Sequence, residues 1–280
     1  MLRRGSFQLK TDDQLRAMRA SGLIVSRILD VLVEHCKPGA TPSELDALAR
    51  QLLAEAGATS SFLGYGVHSG LPPFPAVTCI SVNEEVVHGI PGGRRFADGD
   101  LVSIDFGVEY QGWHGDSART VAVGEVDASA AALSADTRRA MWDGIAAART
   151  GRRLGDISAA IESSLRAGRR KKYGIVREFT GHGIGTEMHM DPDVPNFGRA
   201  GIGPQLVAGM CLAIEPIIAL GSPATATLDD EWTIVTRDRS KAAHWEHTIA
   251  ITARGVWVLT AEDGGEAELT ARGASFAPIL

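Results

Sequence analysis

Cysteine is scarce in this chain, and its scarcity excludes two classes of protein. Cys36, Cys79 and Cys211 lie far apart and form no CxxC pair. Small secreted domains held by disulfides and structural zinc sites both need several cysteines at short, regular spacings. We therefore expect three reduced thiols and a cytoplasmic protein.

Long apolar runs and a large net charge are also missing. No apolar stretch approaches the roughly 20 residues of a membrane-spanning helix, and the N-terminus lacks the apolar core of a signal peptide. The net charge of −6 argues against a general nucleic-acid-binding surface. The sequence therefore predicts neither a membrane partner nor a nucleic-acid substrate, and we interpret the basic run at 169–172 as a solvated loop.

The common catalytic signatures are absent too. Glu246-His247 lacks the rest of an HExxH motif, and neither a Walker A motif nor a GxSxG motif occurs. The glycine-rich stretch at 181–185 is predicted to be a loop, and its spacing is wrong for binding a dinucleotide. The chemistry of this protein must therefore come from a different set of residues.

Two parts of the chain show related helical patterns. Capping boxes and apolar stripes predict two helices that begin at Thr11 and Thr41. Two more helices are predicted, from Asp136 to Ala148 and from Asp156 to Ala167. The apolar spacing of 39–57 recurs at 151–168, an offset of 112 residues. We expect two related halves, each with two helices followed by antiparallel strands.

The stretch 101–120 carries the clearest strand pattern. Apolar side chains alternate along its first part, and a polar turn containing Gly112 separates this part from a second run. Pairing Asp105 opposite Asp116 places the turn between Tyr110 and Gln111. Two neighbouring carboxylates repel each other unless a cation lies between them. The alternative is that both are ordinary solvent-facing strand residues.

Acids and histidines recur in the second half of the chain. Strands are predicted at 76–82, 211–218, 232–235 and 246–252, and an irregular tail with at most one edge strand at 262–280. The residues that complete a candidate site are His88, His182, His189, Glu215 and Glu246. Four carboxylates and one imidazole can hold two divalent cations, and without a thiolate ligand Mn, Fe, Co and Zn are all reasonable. Two such ions can polarise a carbonyl and acidify a water molecule.

Several short motifs, in a fixed order from about Leu9 to about Leu259, resemble those of the type I methionine aminopeptidases. They are Ser81-Val-Asn-Glu84, His88-Gly-Ile-Pro91, Asp98-Gly-Asp100, Asp105, His114-Gly-Asp116, Gly181-His-Gly-Ile-Gly185, Ile214-Glu-Pro216 and Glu246-His-Thr248. Each motif alone is weak, but their number and order make the similarity specific.

The resemblance implies an α+β pita-bread (creatinase/aminopeptidase) fold with two pseudo-symmetric halves, each an antiparallel sheet with flanking helices. We expect one catalytic domain over 1–280, with halves at about 9–125 and 126–260 and a tail at about 262–280. The implied reaction is hydrolysis of the first peptide bond of Met-Xaa chains, with small Xaa preferred. The implied partners are nascent polypeptide N-termini, and we expect a monomer.

The resemblance also implies a role for each site residue. The metal ligands would be Asp105, Asp116, His182, Glu215 and Glu246, with Asp116 and Glu246 bridging two ions. Glu215 would act as general base, His88 would lie near the scissile nitrogen, and His189 would hydrogen-bond the substrate carbonyl. Side chains that suit a thioether would line the methionine pocket, namely Tyr65, Phe74, Cys79 and Trp232.

The sequence departs from the family pattern near the substrate entrance. Residues 67–73 form a short insertion, and Met188 stands where relatives often carry an aromatic residue. No zinc-finger or basic extension precedes the catalytic part, so any contact with the ribosome near its exit tunnel would come from the catalytic domain itself. Three histidines are predicted to lie outside the chemistry: His114 and His247 with structural roles, and His244 at the surface.

Two rival functions remain open at this point. Xaa-Pro aminopeptidases and prolidases share the ligand types, but they usually carry an extra N-terminal domain for which this chain leaves no room. A non-catalytic pita-bread binding protein would typically lose metal ligands, whereas the full set is present here.

Overall fold

The computed structural model describes residues 7–67, 70–167 and 173–279. The basic run at 169–172 and part of the 67–73 insertion therefore lie outside the described residues. Among those that are described, no helix combines the length and the apolar composition needed to cross a membrane.

Two helices open the first half, α1 (Asp12–His35) and α2 (Pro42–Ala56). Both N-termini carry the predicted capping box, in which a threonine accepts the N3 backbone N–H and the N3 side chain bonds back. Helix α2 ends at Gly57, whose φ of 63° is left-handed and therefore suits glycine. Both helix starts are thus confirmed.

The first half continues with five strands: β1 (Thr59–Ser60), β2 (Cys79–Val82), β3 (Glu85–Val87), β4 (Leu101–Tyr110) and β5 (Trp113–Ala122). Strand β4 is central, with β5 along one edge and β1 and β2 along the other. Helices α1 and α2 cover its apolar face, where Ile104 and Phe106 are fully buried. Burial of each such side chain contributes roughly 2 kcal/mol. The strand predicted from Ala76 begins later, at Cys79.

The predicted register of the β4–β5 hairpin is wrong. Asp105 lies opposite Ala118, and Asp116 lies opposite Gly107. The turn is a two-residue connection at Gln111 and Gly112, whose φ values of 53° and 80° are those of a type I′ turn. Because this turn shifts the pairing by two, the side-chain period keeps both aspartates on one face as diagonal neighbours.

Helices α3 (Ala128–Ala147) and α4 (Leu154–Arg166) open the second half. Helix α3 starts well before the predicted Asp136, because Asp127 caps it by accepting the N–H groups of Ser129 and Ala130. These helices cover the second main core cluster. The order of elements repeats that of the first half, and the boundaries at 125 and 260 stay a prediction.

The remaining strands are β6 (Gly174–Ile175), β7 (Gly181–Gly183), β8 (Met190–Val194), β9 (Cys211–Ile214), β10 (Ile217–Ala219), β11 (Thr225–Thr227), β12 (Ile234–Thr236), β13 (Ala242–His244), β14 (His247–Ile251) and β15 (Val256–Val258). They form a five-stranded sheet in the order β15-β14-β9-β7-β8 and two three-stranded sheets, β13-β10-β6 and β11-β12-β3. The pairing is antiparallel throughout these sheets.

Three predictions of local structure in the second half are corrected. The strand predicted at 211–218 divides at Glu215-Pro216, so that β9 and β10 belong to different sheets. The expected loop at 181–185 contains strand β7. The tail holds a short helix, α5 (Glu266–Ala271), and Phe276 forms a bridge with Val256.

Candidate metal centre and active site

The five predicted ligands line one cavity of about 500 Å³. They come from both halves: Asp105 from β4, Asp116 from β5, His182 from β7, Glu215 from the break after β9, and Glu246 from the residue before β14. Because Glu215 lies where the chain leaves one sheet for another, its side chain faces the gap between sheets. The structure therefore brings together residues that are distant in sequence.

Hydrogen bonds between β5 and the chain around β14 hold two of these acids in place. Thr248 Oγ1 accepts the N–H of Asp116 at 3.0 Å and donates to the carbonyl of Asp116 at 2.8 Å. Ser117 Oγ donates to the carbonyl of Glu246 at 2.6 Å, and the N–H of Glu246 donates to the carbonyl of Ala118 at 3.0 Å. The two halves are thus joined directly behind the carboxylates.

The cluster fits a divalent metal. Buried oxygens of Asp105, Asp116 and Glu246 have no hydrogen-bond partner among the described residues. Burying an ionised carboxylate without a partner is costly, so such atoms call for a cation. Donor atoms of Asp116, His182 and Glu246 lie within 4.8 Å of one another, and His182 Nε2 lies 3.4 Å from Glu215 Oε1.

His182 is held in the orientation that a metal ligand needs. Its Nδ1 lies 2.9 Å from the carbonyl oxygen of Gly183. A carbonyl can only accept, so Nδ1 carries the proton and Nε2 turns its lone pair toward the carboxylates. This is the usual arrangement of a histidine that binds a metal.

The pKa shifts within the cluster also indicate a site for a cation. Burial, together with neighbouring carboxylates, raises the pKa of Asp105, Glu215 and Glu246 well above its ordinary range. Burial raises the pKa of Asp116 to about 7 and lowers that of His182 to about 4. Without a cation the acids therefore hold protons, which a divalent ion would displace.

The two histidines predicted to contact substrate also line this cavity. Tyr65 Oη lies 2.7 Å from His189 Nδ1. His88 has a left-handed φ of 58° and lies edge-on to Phe179 and Trp232, with ring centroids 5.2 and 6.0 Å away. Burial lowers the pKa of His88 to about 4 and that of His189 to about 3, so both imidazoles are neutral at neutral pH.

An apolar pocket opens beside the carboxylates. All four predicted pocket residues line the cavity, and Phe74, Cys79 and Trp232 belong to one buried cluster. Trp232 Nε1 donates to the carbonyl of Pro72 at 2.9 Å, which ties the insertion to the pocket wall. Tyr65 is 41 % exposed and stands at the rim.

Sequence reasoning missed some lining residues. Phe62 shares the buried pocket cluster, and Met188, which was expected only near the substrate entrance, also belongs to it. Acidic side chains at the mouth were also missed, namely Glu178, Asp191 and Asp193. Glu178 lies in a loop, and Asp191 and Asp193 lie in the short strand β8; neither stretch carries a periodic pattern that could have placed these side chains.

The prediction that His244 lies at the surface is wrong. Its side chain is 3 % exposed and lines the cavity. Its Nε2 lies 3.5 Å from Glu215 Oε2 and 3.9 Å from Glu246 Oε2. A signal was available, because strand alternation puts His244 on the same side of the chain as Glu246.

The other two histidines hydrogen-bond hydroxyl groups. His114 Nδ1 lies 2.8 Å from Ser61 Oγ, and His247 Nδ1 lies 2.8 Å from Thr260 Oγ1. His247 also packs against Trp142, with ring centroids 5.0 Å apart. These contacts suit the structural roles expected for both.

Comparison with known proteins identifies the family. The sequence model of metallopeptidase family M24 matches residues 16–253. A methionine aminopeptidase of Clostridium perfringens is 46 % identical over 252 residues, which are 90 % of this chain and 98 % of the relative. The chain belongs to metallopeptidase family M24. It is therefore a metal-dependent peptidase that uses divalent ions.

Solved structures agree with this assignment. The crystal structure of methionine aminopeptidase from Thermotoga maritima superposes with a TM-score of 0.87 at 38 % identity, covering 92 % of this chain and 100 % of that one. Prolidase from Pyrococcus furiosus shares the fold, with a TM-score of 0.69 at 21 % identity, covering 91 % of this chain and 65 % of that one. The α+β pita-bread prediction and the resemblance drawn from the motifs are confirmed.

Proposed function

We propose that this protein removes the N-terminal methionine from nascent proteins and peptides by metal-assisted hydrolysis, with a small second residue preferred. The observation that carries the proposal is the position of the carboxylate cluster directly beside an apolar pocket in one cavity. A peptide whose first side chain fills the pocket has its first peptide bond over the carboxylates. The identity to the Clostridium enzyme supports the same reaction.

The proposed ligands are the five residues named above, which would hold two divalent ions, and Asp116 and Glu246 would contribute to both. Four carboxylates balance four positive charges, which supports two ions over one. Bound ions would polarise the scissile carbonyl and acidify the attacking water. Oxygen and imidazole donors suit Mn, Fe, Co and Zn.

Glu215 is the proposed general base. Its carboxylate faces His182 through Oε1 and His244 through Oε2, and it lines the cavity where water must attack. A carboxylate at this place can take a proton from that water and pass it to the leaving nitrogen. His88, neutral and close by, is the proposed contact to that nitrogen.

His189 is the proposed hydrogen-bond donor to the substrate carbonyl. When Tyr65 Oη donates to Nδ1, the proton of the neutral ring lies on Nε2. This tautomer can donate to a carbonyl oxygen as negative charge develops on it. Tyr65 thus has two proposed roles, as the rim of the pocket and as the group that fixes His189.

The pocket explains the proposed preference for methionine. Cys79 and Met188 offer polarizable sulfur atoms, and Phe74 and Trp232 meet edge-on with centroids 5.2 Å apart. Such surroundings favour a long, unbranched thioether. Discrimination against an isostere of methionine should be limited to about 1–3 kcal/mol.

We propose that the enzyme is a cytoplasmic monomer and that it acts on chains as they leave the ribosome.

The test is release of free methionine from Met-Ala-Ser, beside cleavage of Ala-Pro-Ala, after chelation and reconstitution with Mn, Fe, Co or Zn in turn. Metal-dependent cleavage of the first peptide alone is the expected result. Cleavage of the second would move the chain to the proline-directed branch of the family. Metal binding without cleavage of either would favour a binding role and overturn the proposal.

A further inference from the structure

His244 is the buried side chain at the centre that the proposed mechanism leaves without a role. Its backbone is fixed by the first half of the chain. The N–H donates to Thr120 Oγ1 at 2.9 Å, and the carbonyl accepts from the same hydroxyl at 2.7 Å. Strand pairing with Ile217 holds it from the other side. The fold therefore fixes the backbone from which the imidazole projects.

The Nε2 nitrogen of His244 points at carboxylates. Its Nε2 has no hydrogen-bond partner among the described residues and lies 3.5 Å from Glu215 Oε2. This separation exceeds an ordinary hydrogen bond by a few tenths of an ångström. A small rotation of either side chain closes it. Glu246 Oε2 is farther away, at 3.9 Å.

Two imidazoles thus flank Glu215, one at each oxygen, but they differ in one contact. The carbonyl of Gly183 holds the Nδ1 proton of His182, which leaves its Nε2 for a metal. No hydrogen bond of this kind holds Nδ1 of His244 within the described part of the chain. Its Nε2 is consequently free to carry the proton, as a donor to a carboxylate requires.

We propose that His244 is a positioning residue for Glu215, donating its Nε2 proton to Oε2 and leaving Oε1 directed toward His182. The inference rests on the proposed role of Glu215 as ligand and general base. A carboxylate with both duties gains from a hydrogen bond that fixes which oxygen serves each of them. His244 itself touches neither metal nor substrate in this assignment.

The first arm of the test compares two substitutions in the full-length protein. His244→Leu keeps the volume and removes the donor, whereas His244→Gln keeps a neutral N–H donor at similar reach. We expect His244→Leu to lower kcat for Met-Ala-Ser about 10- to 100-fold, with KM changed less than about threefold. His244→Gln should restore most of kcat. Equal losses in both variants, or no loss in either, would overturn the proposal.

The second arm does not depend on turnover. Side-chain ¹⁵N NMR of the histidine-labelled, zinc-loaded protein reports which ring nitrogen carries the proton, and the signals absent from His244→Gln belong to His244. We expect the proton on Nε2. A metal-shifted Nε2 with the proton on Nδ1 would make His244 a ligand and overturn the proposal. If the wild type cleaves no methionyl peptide, the proposed function fails, and this spectrum still decides the role of His244.

Discussion

Two kinds of buried carboxylate occur in this protein. Asp46 on α2 is a scaffold acid: it accepts N–H groups of Val77 and Thr78 at 2.8 and 3.0 Å and the hydroxyl of Thr78 at 2.9 Å, and it pairs with Arg50 at 2.8 Å. Asp116 in the cavity is equally buried, yet its Oδ1 has no partner among the described residues.

The difference shows how to recognise a metal centre without a metal. Proteins satisfy nearly all buried polar atoms, so a single unsatisfied carboxylate is unusual and several in one place need a common reason. Scaffold acids find their hydrogen-bond and ionic partners within the protein, whereas the cavity acids need a cation as their partner. Removing one member from each set should therefore have opposite consequences for stability and for activity.

The largest effect is expected from the cavity set. Glu215→Gln should lower kcat for Met-Ala-Ser by about 10³-fold, because it removes a ligand charge and the general base together. Folding, followed by circular dichroism, should be unchanged. Turnover within about tenfold of wild type would contradict the assignment of this residue.

Substitution of a scaffold acid should lower the stability of the fold. Asp46→Ala leaves two backbone N–H groups, a hydroxyl and a guanidinium without their acceptor, and should lower the free energy of unfolding by about 3 kcal/mol. Urea denaturation of the metal-loaded protein measures this. The amount of metal bound per folded molecule should stay at the wild-type value. A loss of metal would contradict the assignment of Asp46 to the scaffold acids.

An intermediate effect is expected at the substrate contact. His189→Ala should lower kcat about 10- to 100-fold, because one donor to the developing oxyanion is lost. Bound metal, measured by elemental analysis, should be nearly unchanged. Tyr65→Phe is the matched control: it keeps the ring but frees Nδ1 of His189, and it should lower kcat less. Loss of metal in His189→Ala would argue against its assignment to substrate.

The protonation of the cavity acids predicts a pH dependence of metal binding. The pKa of Asp116 is about 7 in the folded, metal-free protein and 3.8 ordinarily. The proton that Asp116 holds in the folded protein stabilises the fold. This contribution is full below pH 3.8 and is lost as pH rises through about 7. A metal must displace the same proton. The rise in Tm given by a fixed Mn²⁺ concentration should therefore grow between pH 6 and pH 7.5, and a constant rise would contradict the shift.

The smallest expected effect is a change in the free energy of unfolding that has opposite signs for a cavity acid and for a scaffold acid. Asp105→Asn should raise the free energy of unfolding of the chelated protein by about 1 kcal/mol at pH 8, because it removes a buried carboxyl group that ionises far more easily in the unfolded chain than in the fold. The same change at Asp46 should lower it. Chemical denaturation in the presence of chelator measures both variants, and a decrease in each would remove the distinction.

Much of the centre could be predicted because strand alternation preserves the face of a side chain. The assumed hairpin turn was misplaced, yet Asp105 and Asp116 still share a face, since the error in register was two. The two-residue turn at Gln111-Gly112 could have been anticipated from its length and its glycine.

Other features could not be derived from local pattern. The burial of His244 is one of them: strand alternation puts this residue on the same side of the chain as Glu246, but it does not tell whether that side is covered by other elements. The break at Glu215-Pro216 was missed because apolar residues lie on both sides of it, at 211–214 and 217–218, so that the run resembles one continuous strand. Only the pairing of β9 and β10 with different partners reveals that Glu215 leaves the sheet.

The distribution of the proposed ligands over both halves has a consequence for the chain as a polymer. An ion held by Asp105 and Asp116 on one side and by Glu215 and Glu246 on the other links segments that are far apart in sequence. The unfolded chain cannot present this set, so binding stabilises only the folded state. The three cysteines are unpaired and buried. A metal held by these proposed ligands would thus provide the long-range, reversible cross-link that a disulfide provides in other proteins.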